Sequence, residues 1–261
     1  GQRELIAVSW QDEGRDIFYV FSADALGFYN DPPLNTGLDR APGKITQPGK
    51  LYLIYWDNDE DPEFILTQGS PNRQVVVCDY EDGKIKALES VGERFLSNTF
   101  GPIKISVGDF NGDEFDDIFI LNNGTKPTGH FIFSDGSEEG LDLEGYSRLN
   151  LLHEQGIDLN FDGMDDLIMV NQDGGLMSDI WGTKSVPLSE SGIEEVMIKP
   201  DNGIIHLIGV SKSGKIGEYS IDPLSMEILS SEFTPPQFSS EEYKAVYSLF
   251  LNDRIVLIHD G

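Results

Sequence analysis

The sequence predicts an all-β protein, and more specifically a β-propeller made of four-stranded blades. Short apolar runs rich in β-branched and aromatic residues recur along the chain, and Gly, Pro, Asn and Asp separate them. Few stretches keep a helical period, which favours a sandwich, barrel or propeller. A long internal repeat decides among these, because Asp109 and Asp158 open similar segments that lie 49 residues apart.

The apolar runs are the predicted strands. The clearest of them cover residues 5–8, 17–21, 51–55, 64–66, 75–77, 118–121, 167–170, 204–210 and 255–258. Between two later runs, Asp135-Gly136 has the composition of a two-residue hairpin turn, where a positive φ favours glycine.

The repeat is clearest in the segments DFNGDEFDDIFIL and DLNFDGMDDLIMV, which begin at Asp109 and Asp158. A related segment, YWDNDEDPEFIL, begins at Tyr55, which is 54 residues before Asp109. Shortened copies of this segment cover residues 11–16, 200–203 and 252–254, and each copy precedes a predicted strand. Each acidic segment therefore stands between two strands of a repeated unit.

One unit reads as four strands, in which the first leads into the acidic loop, the second leaves it, and a hairpin pair follows. In the third unit these strands are expected at residues 103–107, 118–121, 130–133 and 141–146. Radial repetition of such a unit gives a propeller. Five and a half units are recognisable, so we expect about six to seven blades in a single domain over residues 1–261. A β-sandwich with acidic loops is the alternative.

Composition excludes several partners. The 261 residues contain 46 Asp and Glu against 18 Lys and Arg, a formal net charge of −28. Nucleic acids and anionic membrane surfaces are bound largely by Lys and Arg, so neither is expected as a partner. Membrane insertion is not expected, and no signal peptide is visible. The single cysteine, Cys78, follows three valines and reads as a buried strand thiol.

The two strong loops have the side-chain chemistry of calcium sites. Oxygen-bearing side chains stand at loop positions 1, 3, 5 and 9, and position 7 offers a backbone carbonyl. Calcium takes six to eight oxygen ligands, whereas magnesium keeps more water and zinc prefers Cys and His. An EF-hand would need Glu at position 12, where Ile120 and Met169 stand. Ordinary acidic turns are the alternative, since Asp and Asn favour turns.

The segments VGDFNGDEFDDIFIL and GIDLNFDGMDDLIMV resemble the calcium-binding loops of FG-GAP/VCBS repeats, as in the integrin α-subunit propeller and many bacterial extracellular proteins. The Phe-Gly and Gly-Ala-Pro elements of the integrin repeat are not evident, which favours a bacterial-type or divergent member. The resemblance implies two cages: Asp109, Asn111, Asp113 and Asp117 with the Phe115 carbonyl, and Asp158, Asn160, Asp162 and Asp166 with the Met164 carbonyl. A weaker third site is expected around Asp57, Asp59, Asp61 and Glu63.

These features predict a calcium-binding, extracellular or cell-surface module that binds a protein or glycan ligand and serves in adhesion. It is expected to be part of a larger multidomain protein. No nucleophile–base set is recognisable, so no catalytic residues are assigned. The alternative function is the propeller scaffold of a polysaccharide lyase or glycoside hydrolase. A third possibility is the attachment domain of a toxin or surface protein.

Overall fold

The structure is a computed structural model, and it is almost entirely β. It has one short helix among the residues that it describes, which confirms the all-β prediction. The described residues are 4–10, 16–22, 34–35, 48–57, 59, 62–68, 73–81, 84–98, 103–122, 126–143, 149–151, 154–158, 160–170, 175–178, 184–187, 193–201, 204–211, 216–222, 225, 227–233, 246–251 and 254–259.

The described strands form six sheets, and the strand order within each sheet follows the chain. The first three sheets are β1 (Glu4–Trp10), β2 (Asp16–Ser22) and β3 (Leu34–Asn35); β4 (Pro48–Ile54), β5 (Glu63–Gln68), β6 (Gln74–Glu81) and β7 (Lys84–Ser90); and β8 (Ile103–Gly108), β9 (Asp117–Asn122), β10 (Thr128–Ile132) and β11 (Glu138–Leu141). The others are β12 (Asn150–Leu151), β13 (Ile168–Val170), β14 (Gly175–Ser178) and β15 (Lys184–Pro187); β16 (Ile193–Asp201), β17 (Ile204–Ser211), β18 (Ile216–Ile221) and β19 (Ile228–Phe233); and β20 (Val246–Leu251) and β21 (Arg254–His259). The helix α1 (Glu93–Asn98) lies between β7 and β8.

The predicted four-strand unit is present in four of the described sheets. In the third unit, the fourth strand is Glu138–Leu141, whereas the sequence predicts a strand over residues 141–146. The reason is a tight turn at Asp135-Gly136. There Gly136 has φ 81° and donates its N–H to the Phe133 carbonyl, and Phe133 donates to the Ser137 carbonyl. The glycine turn that the sequence predicts is therefore in place, and it starts the strand early.

Every acidic segment falls in the same kind of connection, between the first and second strands of its sheet. The three longer segments connect β4 to β5, β8 to β9 and β12 to β13. The shortened copies connect β1 to β2, β16 to β17 and β20 to β21, and each of these three strand pairs is antiparallel. Residues 11–15, 202–203 and 252–253 of these copies lie outside the described residues. The repeat inferred from sequence thus coincides with a repeated position in the topology.

The inner strands of the sheets supply much of the core. All six residues of β9 are buried, and Phe64 and Val76 on β5 and β6 are at most 1% exposed. On the outer strands of the same sheet, Leu53 and Leu88 are 58% and 46% exposed. A strand that is buried throughout belongs to a sheet covered on both faces. Cys78 on β6 is fully buried, and burial raises the pKa of its thiol to about 12, as expected for a structural thiol.

The chain divides into two compact units. The first comprises residues 1–103, 115–117 and 130–139, and the second comprises residues 104–114, 118–129 and 140–261. The core of the first includes Phe64 and Ile65, and that of the second includes Ile105 and Phe110. The single domain over residues 1–261 stays a prediction. In the described part of the chain, no helix has the length and apolar character needed to cross a membrane.

Candidate metal centre

The first acidic loop winds around the carboxylate of Asp109, which follows the last residue of β8. Its Oδ1 accepts hydrogen bonds from the backbone N–H groups of Gly112 at 2.6 Å and Asp113 at 3.1 Å. Its Oδ2 accepts from the N–H of Glu114 at 2.8 Å. The Oδ1 of Asn111 also accepts from the N–H of Asp113, at 2.9 Å. Short side chains that bond nearby backbone favour such turns, which is why this composition coils locally.

The second loop repeats this winding at equivalent positions. Asp158 accepts from the N–H of Asp162 at 3.2 Å through Oδ1, and from the N–H of Gly163 at 3.0 Å through Oδ2. Asn160 accepts from the N–H of Asp162 at 2.9 Å. The Oδ1 of Asp162 accepts in turn from the N–H of Met164 at 3.0 Å. In both loops, position 1 therefore caps positions 5 and 6, and position 3 caps position 5.

Left-handed backbone recurs at positions 4 and 6 of both loops. In the first loop these are Gly112, with φ 79°, and Glu114, with φ 74°. In the second they are Phe161, with φ 61°, and Gly163, with φ 89°. Glycine occupies position 4 in one loop and position 6 in the other, so the shared path does not depend on a shared glycine. The two segments are thus similar in conformation as well as in composition.

The ligands predicted at position 9 lie deeper than the rest. Phe115 and Met164 are half-buried. Asp117 and Asp166 are only 0% and 3% exposed. The Oδ1 of Asp117 accepts from the backbone N–H of Ser134 at 2.9 Å, so this carboxylate also supports the turn between β10 and β11.

The segment expected to hold a weak third site brings its carboxylates closest together. Asp57, Asp59 and Glu63 have ligand oxygens within 4.8 Å of one another, and no other three described acidic, His or Cys residues meet this distance. The fourth predicted member, Asp61, lies outside the described residues. Asp57 and Asp59 are exposed, whereas Glu63 begins β5 and is 1% exposed. One buried and two exposed carboxylates therefore converge.

The surroundings of Glu63 disfavour its ionised form. Burial raises the pKa of Glu63, and the negative charges of Asp57 and Asp59 raise it further. The backbone N–H of Trp56 opposes these effects, because it donates to Glu63 Oε2 at 2.8 Å. A divalent ion would offset the mutual repulsion of the three carboxylates.

The donor chemistry of all three segments fits calcium, since every predicted side-chain ligand offers oxygen. The described residues bring together the carboxylates of the Asp57 segment. In the two strong loops, the carboxylates of Asp109 and Asp158 are engaged by backbone N–H groups. The ligand sets of these two loops stay predictions.

Two residues without a role in the predicted cages connect neighbouring segments. Asp165 donates its N–H to the Asp109 carbonyl at 2.7 Å and accepts the Asp109 N–H at Oδ2, at 3.0 Å. In the same way, Asp116 donates its N–H to the Tyr55 carbonyl at 2.9 Å and accepts the Tyr55 N–H at Oδ2, at 2.8 Å. The only sequence signal for this role is the Asp-Asp doublet at positions 8 and 9 of both strong loops.

Neither a scan against protein-family models nor a search of the curated proteins gives a match to this chain. The similarity to FG-GAP/VCBS repeats therefore rests on the two loop motifs of the sequence. Both strong motifs occupy the connection between the first and second strands of a four-stranded sheet.

Proposed function

We propose that this chain is a calcium-stabilised repeat module of the FG-GAP/VCBS type. The observation that carries the proposal is the matched winding of the Asp109 and Asp158 loops, with the same capping and left-handed positions. Alternate residues of a tightly coiled loop can face one centre, so positions 1, 3 and 5 would offer their side-chain oxygens to one ion.

We also propose that the sheets are blades of a six- to seven-bladed propeller. Four of them are four-stranded, and the inner strands β5, β6 and β9 are buried over most of their length, whereas β10, β17 and β18 alternate between buried and less buried positions. Equivalent strands of blades related by rotation run in the same direction. In line with this, Val107, at the end of β8, forms a parallel bridge with Gln155, which precedes the next loop. Such radial repetition protects sheet edges.

In this proposal calcium has a structural role. Each strong loop carries three predicted Asp ligands, whose mutual repulsion opposes folding, and a divalent cation offsets most of that charge. Because an ion that binds the folded chain more tightly than the unfolded chain stabilises the fold, calcium would rigidify the connections between strands. Catalysis has no part in it.

Paired substitutions in each loop test the ligand assignment. We expect Asp109→Ala with Asp113→Ala, and separately Asp158→Ala with Asp162→Ala, each to remove about one bound calcium per chain. Native mass spectrometry and elemental analysis count the ions. The matched control is Glu218→Ala with Glu232→Ala, an exposed cross-strand pair on β18 and β19 that removes the same charge. Equal calcium content in all variants would reject the assignment.

The proposed ligand is an extracellular protein or glycan. The acidic composition suits a soluble surface outside the cell, and two aromatic residues within the acidic segments, Tyr55 and Phe161, are 56% and 57% exposed. Aromatic rings are frequent contact residues at binding surfaces. Glycan arrays and pull-downs, run in calcium and in chelator, test this. Processing of polysaccharides in a product assay would favour the enzymatic alternative.

A further inference from the structure

Successive acidic loops are joined by the same two hydrogen bonds. The residue at position 8 of one loop, Asp165 or Asp116, bonds the residue at position 1 of the preceding segment, Asp109 or Tyr55. In each case one backbone N–H donates to a carbonyl and one carboxylate accepts a backbone N–H. We call this two-bond contact the clasp.

The clasp at Asp165 is closely packed. A Cβ on Gly108 would lie 2.5 Å from Asp165 Oδ2, and a Cβ on Gly156 would lie 2.5 Å from Asp165 Cβ. Two further backbone bonds flank it. Val107 donates to the Glu154 carbonyl at 3.0 Å, and Gly156 donates to the Val107 carbonyl at 2.6 Å. The absence of side chains at both glycines is therefore what lets Asp165 reach the backbone of Asp109.

Asp109 has two connected roles in this arrangement. Its carboxylate winds the first loop through three backbone N–H groups, and its own N–H and carbonyl are held by Asp165. Asp165 directly follows Met164 and precedes Asp166, which are predicted ligands of the second loop. Ordering of the second loop by an ion would therefore also order the first residue of the first loop.

We propose that Asp165 is a positioning residue that couples the two calcium loops, so that an ion in one raises the affinity of the other. This inference rests on the proposed function. Coupling between sites is reciprocal, and it arises without a large structural change when one ion has already ordered what the second must order. The segment that begins at Tyr55 cannot form a clasp through its own position 8. That residue is Pro62, which has neither an N–H nor a carboxylate.

The test is a calcium titration followed at two backbone amides by NMR. Gly112 reports the first loop and Gly163 reports the second. When Asp158→Ala removes the second site, we expect the titration midpoint of Gly112 to rise about fivefold or more. In an Asp165→Ala background, Asp158→Ala should leave that midpoint unchanged. Asp165→Asn keeps an acceptor oxygen and should retain the dependence.

The outcomes separate this inference from the function on which it rests. If both glycines respond to calcium but Asp158→Ala does not change the titration midpoint of Gly112, the coupling is wrong and the calcium sites are retained. If the dependence persists in Asp165→Ala, the role of Asp165 is wrong. If neither glycine responds up to about 10 mM calcium, above the weakest dissociation constants of extracellular modules, both proposals fail. The comparison of wild type with Asp158→Ala stands even where Asp165→Ala does not fold.

Discussion

Single residues in the two strong loops adopt backbone conformations that their side chains disfavour. Glu114 and Phe161 have φ values of 74° and 61°, and left-handed backbone costs about 1–2 kcal/mol for residues other than glycine. Glycine stands at the equivalent position of the other loop in each case, as Gly163 and Gly112. Each loop thus contains one residue with a strained backbone, and the other loop has glycine at the same position.

Phe161→Gly is expected to raise the free energy of unfolding by about 0.5–1 kcal/mol, because it removes the left-handed strain at a mostly exposed position. Urea unfolding with an unchanged m-value measures this. Gly163→Ala is the matched control. Its Cβ would meet no atom within 4 Å, so backbone strain alone should lower stability by about 1 kcal/mol. Stabilisation by Gly163→Ala would contradict the account.

Glu63→Gln separates charge from hydrogen bonding in the Asp57 segment. Glutamine can still accept the Trp56 N–H, but it removes the buried charge that faces Asp57 and Asp59. We therefore expect a higher melting temperature than wild type in chelator and a smaller rise on adding calcium. The conservative control Glu63→Asp keeps the charge and should not raise the melting temperature in chelator. A gain in calcium response with Glu63→Gln would contradict a ligand role.

Local composition accounts for part of this detail. Asp at position 1 and Asn at position 3 predict capped turns, and the turns are present at Asp109 and Asp158. The sequence also groups Glu63 with Asp57 and Asp59, and their carboxylate oxygens do lie close together, whereas the burial of Glu63 depends on where β5 begins. The left-handed conformation of Phe161 could not be expected at all, since aromatic residues avoid that region and only the surrounding hydrogen bonds impose it.

At the scale of elements, the clasps join connections that are distant in sequence. The bonded residues are 56 positions apart at Asp165 and 61 apart at Asp116. A local pattern carries no information on contacts of this separation. The Asp-Asp doublets can be recognised in the sequence, but the bonding partners of their first members cannot be inferred from it. The strand units themselves were predictable, because alternation of apolar runs with turn residues is a local signal.

The two clasps provide a matched comparison of stability. Asp165→Ala removes a carboxylate acceptor in a partly buried contact, so it should lower the free energy of unfolding by about 1–3 kcal/mol. Asp116→Ala removes the same bond in an exposed contact, where water can replace the acceptor, and should cost less than about 1 kcal/mol. Chemical denaturation in chelator measures both. A larger loss for Asp116→Ala would show that burial does not set the strength of the clasp.

At the scale of the whole molecule, the chain carries a net charge of −28. In each of the six described sheets, an acidic segment connects the first strand to the second. Self-repulsion of this size destabilises a compact chain, and monovalent salt relieves it by screening. Bound calcium would relieve it locally, in the loops where carboxylates are densest. The sheet count and the repeated connection follow from the sequence period. Closure of a ring depends on contacts between the first and last repeats, which no local period encodes.

The most direct test of the account is thermal unfolding in calcium and in chelator at matched ionic strength, with magnesium as a further control. Calcium at about 100 times its dissociation constant stabilises by about 2.7 kcal/mol per site. For a chain of this size, that corresponds to a rise in melting temperature on the order of 5–10 °C. We predict this rise with calcium and a smaller one with magnesium. Identical melting temperatures in calcium and chelator would contradict the central claim that these loops are calcium sites.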